Sequence, residues 1–181
     1  MTALITTRTA IEGLRLRPLR FEEIPALAAA LQDDVTQAQL EVRWREQELG
    51  FREIVVAEID GQLAGTVSIH EPGDPPRSLH LFALEVGREW RRRGIGTALV
   101  DYVVGVARAR GLWSVHLEVR ADNPARKLYH RAGFRRVGQP FLNGWWRYTG
   151  DGSRERVEEV SVRMVKRLRP RGASIRAQVL Q

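Results

Sequence analysis

The sequence predicts an α+β domain (an α/β mixed sheet): one twisted, mixed sheet of about six to seven strands with helices on both faces. Three observations carry that prediction. Residues 79–86 are a short, mostly apolar run that passes through a glycine loop into a long helical pattern. A second strand-like run, 113–119, follows that helix, and the right-handed crossover rule sets it parallel to the first. Asp60-Gly61 separates two further strand-like runs, the signature of a tight antiparallel hairpin with a primed turn.

Residues 1–13 have no periodic pattern and read as a loose N-terminal arm. Alternation over 14–19, with Pro18 near its end, gives the first strand. From Glu22, the apolar residues Ile24, Leu27, Ala28 and Leu31 recur at helical spacing, and 35–49 form a second, more polar helix. Strands at 51–59 and 63–70 flank Asp60-Gly61; the Pro- and Gly-rich stretch 71–77 is a loop. The run 79–86, stopped by Gly87, is apolar enough for a strand buried on both faces.

Beyond the glycine loop, Leu99, Val103 and Val106 form one helical stripe, with Val100, Val104 and Ala107 beside it, until Gly111. In the strand 113–119, Val115, Leu117 and Val119 share one face, while His116 and Glu118 take the other. Asp122-Asn123-Pro124 opens a short helix that Gly133 ends. Residues 134–137 are a strand, 138–152 a turn-rich aromatic segment, and 156–168 a last alternating strand. A basic tail, 169–181, leaves 14–168 as a single domain.

Composition narrows the function classes. At 181 residues, 43% hydrophobic and 28% charged, the chain is an ordinary globular protein. It has no cysteine, which excludes disulfides, thiolate metal sites and a cysteine nucleophile; no metal is expected. No apolar run approaches the ~20 residues of a membrane helix and the N-terminus has no signal-type apolar core, so a cytoplasmic protein without a membrane partner is expected. The net charge is +7, but all except Lys127 and Lys166 of its 29 basic residues are arginines spread along the chain. That dispersion suits a solvated surface better than a nucleic-acid footprint.

Gly94 and Gly96 leave backbone N–H groups unobstructed where a helix dipole is positive, so this loop can cradle a phosphate or pyrophosphate. Arg91, Arg92 and Arg93 add charge at the same place. A glycine ahead of a helix also serves simply as a turn, and both roles stay open from this feature alone. Leu99 stands where a dinucleotide fingerprint needs its third glycine, and Thr97-Ala98 follows Gly96 where a P-loop needs Lys-Ser/Thr, which disfavours both.

The pattern Arg91-x-x-Gly94-x-Gly96 resembles the Arg/Gln-x-x-Gly-x-Gly/Ala loop of the GCN5-related N-acetyltransferases, the GNAT superfamily. Asn123-Pro-Ala-Arg-Lys-Leu-Tyr129-His-Arg-Ala-Gly133-Phe134 is similar to a second motif of that superfamily, with six residues from asparagine to tyrosine in place of the usual seven. The element order β-α-α-β-β-β-α-β-α-β-β over 14–168 is also the family's.

The resemblance implies acetyl-CoA as acyl donor and a primary amine of a small molecule or peptide as acceptor. It places the pyrophosphate on Arg91, Arg92, Arg93, Gly94, Ile95, Gly96 and Thr97. The pantetheine would pair with the backbone of Leu84, Glu85 and Val86, the two parallel strands having splayed apart there, and would also contact Asn123 and Arg126. Tyr129 is the candidate acid for the leaving thiolate. Three residues compete as base for the amine: His80, Glu118 and Glu85. The acceptor pocket would lie between residues 32–37 and the connection carrying Trp145, Trp146 and Tyr148, aromatics that line a pocket, cover the sheet edge or form a homodimer interface. Asp33 and Asp34 attract a cation or end a helix. Two other readings are an acyl-CoA-binding sensor without efficient catalysis and a basic RNA-associated module.

Overall fold

Alternating apolar residues build the sheet from both sides. In the computed structural model, which describes residues 11–32 and 35–168, β1 (Leu14–Pro18), β2 (Glu53–Ile59), β3 (Gln62–His70), β4 (Ser78–Val86), β5 (Ser114–Arg120), β6 (Arg135–Tyr148) and β7 (Arg154–Arg167) form one sheet. Their order is β1-β2-β3-β4-β5-β7-β6, parallel at β4–β5 and antiparallel elsewhere. Most of the expected arm, the basic tail and Asp33-Asp34 lie outside the described residues. Ile11, the first described residue, packs against the main core.

Successive residues of β2 serve two cores, because strand side chains alternate faces. Val55, Ala57 and Ile59 join the larger core with α3 (Ile95–Ala109), whose stripe Leu99, Val103 and Ala107 is fully buried. Ile54 and Val56 face the smaller core under α1 (Ile24–Leu31) and α2 (Gln37–Glu48). The β2–β3 hairpin turns through Asp60 at φ 49° and Gly61 at φ 83°, the left-handed pair of a type I′ turn. A short helix, α4 (Arg126–Arg131), follows β5.

Polar contacts seat α2 as much as apolar ones do. Its N-cap is Thr36, whose side chain accepts the Gln39 N–H at 3.1 Å. Below it, Arg43 is buried and donates two 2.9 Å hydrogen bonds to the Glu85 carboxylate on β4. Arg52 pairs with Glu46 and lies 4.6 Å over the Phe82 ring.

Two strands depart from expectation. β4 is not buried on both faces: it pairs with β5 only at Ser78, Leu79 and His80, and residues 82–86 are only part-buried. The register of β3 against β4 also shifts between Thr66 and Ser68, opposite Ala83, which takes φ 49°. That β-bulge resets the alternation, so Leu84 and Val86 face α3 with Leu79 and Leu81, and Glu85 faces α2 with His80.

The segment 138–152 is mostly strand. β6 runs from Arg135 to Tyr148 with one irregularity between Val137 and Phe141, and only 149–153 form the turn into β7. Gly138 and Pro140 sit at that irregularity, Gly144 stays paired with Glu158, and Gly150 and Gly152 lie in the turn. The distal half of this hairpin passes beyond β5, and its end reaches α2: Tyr148 N–H donates to Gln39 Oε1 at 2.9 Å, and Thr36 Oγ1 donates to Tyr148 O at 2.7 Å. Among the described residues, no helix is long and apolar enough to cross a membrane.

Removing the buried arginine tests how α2 is held. Arg43→Leu strands the Glu85 carboxylate beneath α2 and is expected to cost about 2–4 kcal/mol in urea denaturation, whereas Arg43→Leu/Glu85→Leu costs less than the single change. A double variant no more stable than Arg43→Leu would show that the two residues are not coupled.

Candidate active site

Past His80, β4 and β5 diverge, and the gap between them opens toward the first turn of α3. The β4–α3 connection is a 3-10 turn at Arg88–Trp90 followed by Arg92 at φ 67° and Gly94 at φ 86°. Gly94 is the N-cap of α3, and its carbonyl accepts the first intrahelical bond, from Ala98 N–H at 3.0 Å. The N–H groups of Ile95, Gly96 and Thr97 precede that bond and point out of the helix end. The Ile95 side chain is buried in the core, so only its backbone belongs to the loop surface.

The three loop arginines do different things. Arg91 Nε donates to Val86 O at 3.0 Å, holding the last carbonyl of β4. Arg93 stacks 5.1 Å over Trp90. Arg92 is exposed. Gly96 packs inward: a Cβ there would meet Leu128 Cδ1 of α4 at 3.1 Å.

Ionisable side chains approach the gap from both faces of the sheet. On the α2 face, His80 Nε2 lies 2.7 Å from Glu118 Oε2, and Arg163 of β7 donates to Glu118 Oε1 at 2.9 Å. Burial pushes the Glu118 carboxyl up, but His80 and Arg163 outweigh it and hold it down at about 2. On the α3 face, Tyr129 is buried against Phe134, ring centroids 5.9 Å apart, and burial with the Glu85 charge pushes its hydroxyl up to about 12. Glu85, the third base candidate, is committed to Arg43.

At the second motif, Asn123 Oδ1 accepts the Ala125 N–H at 2.8 Å, fixing the turn into α4. Arg126 is held on Ala121 O. The structure therefore brings His80 and Glu118 together and seats Tyr129 across the sheet from them. Asn123 and Arg126 are occupied in shaping the α4 entry.

Sequence reasoning passed over His70, His116 and their partners. His70, His80 and His116 stand directly opposite one another on β3, β4 and β5. The His80 and His116 rings are parallel within 4°, centroids 4.7 Å apart, and Ser78 Oγ lies 2.7 Å from His116 Nδ1. The available signal was the placement of all three histidines beside core-facing apolar residues, Ile69, Leu79, Leu81, Val115 and Leu117. The donor atoms of His80, His116 and Glu118 lie within 4.8 Å of one another. In-plane lone pairs of stacked rings run side by side, however, so one ring would have to turn before a single ion could bind both.

Residues 19–134 match the acetyltransferase (GNAT) family model. The chain belongs to the GNAT family. It is 39% identical over 99 residues to N-acetyltransferase 8F1 of Rattus norvegicus, covering 52% of this chain and 45% of that protein. It is 40% identical over 82 residues to the probable N-acetyltransferase camello of Xenopus tropicalis, covering 45% and 37%. Each match thus spans less than half the length of these relatives.

Solved structures agree on the GNAT fold. Ard1 from Thermoplasma volcanium superposes with a TM-score of 0.64 at 23% identity, covering 87% of this chain and 99% of that one. A phosphinothricin acetyltransferase from Sinorhizobium meliloti in complex with AcCoA gives 0.64 at 17% identity, covering 89% and 95%.

Within this GNAT domain, burial and neighbouring His80 push His116 down to about 4 against the charge of Glu118, with Arg163 and His70 adding to the lowering. The unfolded chain, with histidine near ~6.5, then binds more protons between those values, so stability supplied by neutral His116 is complete above about pH 6.5 and lost as pH falls toward 4. A His116 ring titration near pH 4 by NMR is expected. His116→Phe should flatten the slope of stability against pH across that window by up to one proton.

Proposed function

We propose that this chain is an acetyl-CoA-dependent N-acetyltransferase that acylates a primary amine of a small molecule or peptide by direct attack on the thioester. The observation that carries the reading is the gap between β4 and β5, with a helix N-terminus at its mouth and ionisable groups on both faces. Those two features complement the non-reacting parts of the donor. An unpaired strand edge suits the amides of a pantetheine arm, and helix-end N–H groups suit a pyrophosphate.

On this reading Ile95, Gly96 and Thr97 N–H groups hold the pyrophosphate, with Arg92 and Arg93 beside it, while Arg91 keeps the end of β4 in place. The backbone of Leu84, Glu85 and Val86 aligns the arm. Asn123 and Arg126 set the position of α4, and so of Tyr129.

The acceptor arrives as an ammonium, near ~10.4 for an alkylamine, and must lose a proton before its nitrogen has a lone pair. His80, with Glu118 fixing its Nε2 side, takes that proton. The N–C bond then forms as the C–S bond breaks, and a thiolate departs. A phenol at about 12 is a weaker acid than a thiol at ~8.5, so Tyr129 contributes mainly as a hydrogen-bond donor to the developing thiolate. The acceptor would enter on the α2 face, between the start of α2 and the β6–β7 hairpin that touches it.

Calorimetric titration with acetyl-CoA, followed by thiol release against a panel of amines, tests the reading. Micromolar binding and a responding amine are expected; binding without thiol release would make the chain an acyl-CoA sensor, and no binding would overturn the donor site. Thr97→Glu separates the anion site from the fold. A carboxylate in the first turn favours the helix, so the melting temperature should hold while acetyl-CoA affinity falls about tenfold or more. Tyr129→Phe should lower kcat by roughly tenfold or more with little change in KM.

A further inference from the structure

We propose that His80, His116 and Glu118 form a zinc site, and that Zn²⁺ bound there switches the enzyme off by occupying its base. The binding stands on the geometry of the three residues. The switching rests on the acetyl transfer proposed above.

The sheet places the ligands. His116 and Glu118 lie two apart on β5, so both side chains leave the same face, and His80 stands directly opposite His116 on β4. One donor atom from each residue lies within 4.8 Å of the other two. Two imidazoles and one carboxylate suit Zn²⁺, and three protein ligands leave its fourth position to water. Mg²⁺ and Ca²⁺ prefer oxygen and are poorly matched to this set.

The remaining atoms of the cluster are held as those of a metal site are. Glu118 Oε1 accepts from Arg163 at 2.9 Å, which leaves Oε2. His116 Nδ1 lies 2.7 Å from Ser78 Oγ, to which the Ser114 hydroxyl donates at 2.9 Å, and this leaves Nε2. Outer contacts of this kind fix the tautomer and direction of a metal ligand. His80 Nε2 is buried and lacks a directed hydrogen bond, although Glu118 Oε2 stands 2.7 Å away. An ion between that nitrogen and that oxygen satisfies both.

Two of the ligands are in coordinating form at neutral pH, His116 neutral and Glu118 ionised. Tetrahedral Zn²⁺ with bonds of ~2.0–2.1 Å needs donors roughly 3.3 Å apart, so the cluster tightens on binding. Ser78 anchors His116, and the movement falls on His80, whose ring tilts out of its stack with His116. The His80 and Glu118 side chains are part-exposed, which gives an ion its approach from the gap. A neutral imidazole has one lone pair. With that pair on zinc and the proton on its other nitrogen, His80 has nothing left to accept a proton from the ammonium.

The test is calorimetric titration of the full, tag-free chain with ZnCl₂ at neutral pH, with Co²⁺ as a spectroscopic stand-in. One Zn²⁺ per chain and the intense visible bands of four-coordinate Co²⁺ are expected. His80→Phe keeps the ring stack and Glu118→Gln keeps the side-chain shape. Each should weaken Zn²⁺ binding roughly tenfold or more and bleach the Co²⁺ bands, while His70→Phe, outside the cluster, leaves both unchanged. No binding, or binding that both substitutions leave intact, overturns the site.

Turnover separates the two claims, read as amide product by mass spectrometry because a free thiol itself binds zinc. Product formation by the wild type should fall in step with Zn²⁺ occupancy and return when a chelator is added. Full turnover by the zinc-loaded protein overturns the switch. A chain that binds Zn²⁺ but acetylates no amine supports the site and overturns the acetyl-transfer reading instead.

Discussion

A parallel strand pair that stops after three residue pairs puts a cost at the centre of a sheet. Backbone N–H and C=O groups there have lost their ladder partners but lie too deep to be left unmade. Much of the surrounding structure answers that constraint. Arg91 reaches back to Val86 O, and Gly87 N–H is taken by Ala64 O at 2.9 Å. The bulge at Ala83 turns the end of β4, and Gly65 permits it: a Cβ there would stand 2.7 Å from Glu85 O. The edge of β4 past His80, where its pairing with β5 has ended, is where the chemistry is proposed to occur.

The two faces of the sheet meet that edge with different materials. Toward α3 the strands present Leu79, Leu81, Val115 and Leu117, and the helix covers them with a wide apolar stripe. Toward α2 they present His70, His80, Phe82, Glu85, His116 and Glu118, and α2 meets them partly through Arg43. This explains why α2 has so weak an apolar pattern. Its inner side matches a polar sheet face, and a helix designed to cover apolar strands would bury these charges without partners.

The elements and their order were legible because each carries a local signal. Asp60-Gly61 demanded its turn, the stripe from Leu99 to Ala107 demanded its helix, and Arg91, Gly94 and Gly96 marked the loop. The split of β5 into a Val115, Leu117 and Val119 face and a His116 and Glu118 face followed from alternation alone. The histidine row did not, since 46 positions separate His70 from His116 and only the register of three strands aligns them. The bulge was hidden because nothing in Phe82-Ala83-Leu84 distinguishes an extra residue from regular alternation. β6 was obscured by Gly138 and Pro140, which at an exposed edge interrupt pairing without ending the strand, and by Gly144, which stays paired with Glu158.

The two loop glycines hold their places for different physical reasons. Gly94 adopts φ 86° at the cap, so its place is fixed by backbone conformation, and that conformation aims the next three N–H groups outward. Gly96 is different. It sits inside the first turn of α3 with a helical backbone that any residue tolerates, and its lack of a side chain admits Leu128, with Leu84 and Val86 nearby. That close packing draws α4, and therefore Tyr129, toward the opened edge of β4. One glycine shapes the helix mouth where the pyrophosphate is proposed to sit and the other sets the distance from that mouth to the buried tyrosine, so one motif carries a packing role beside the proposed binding role.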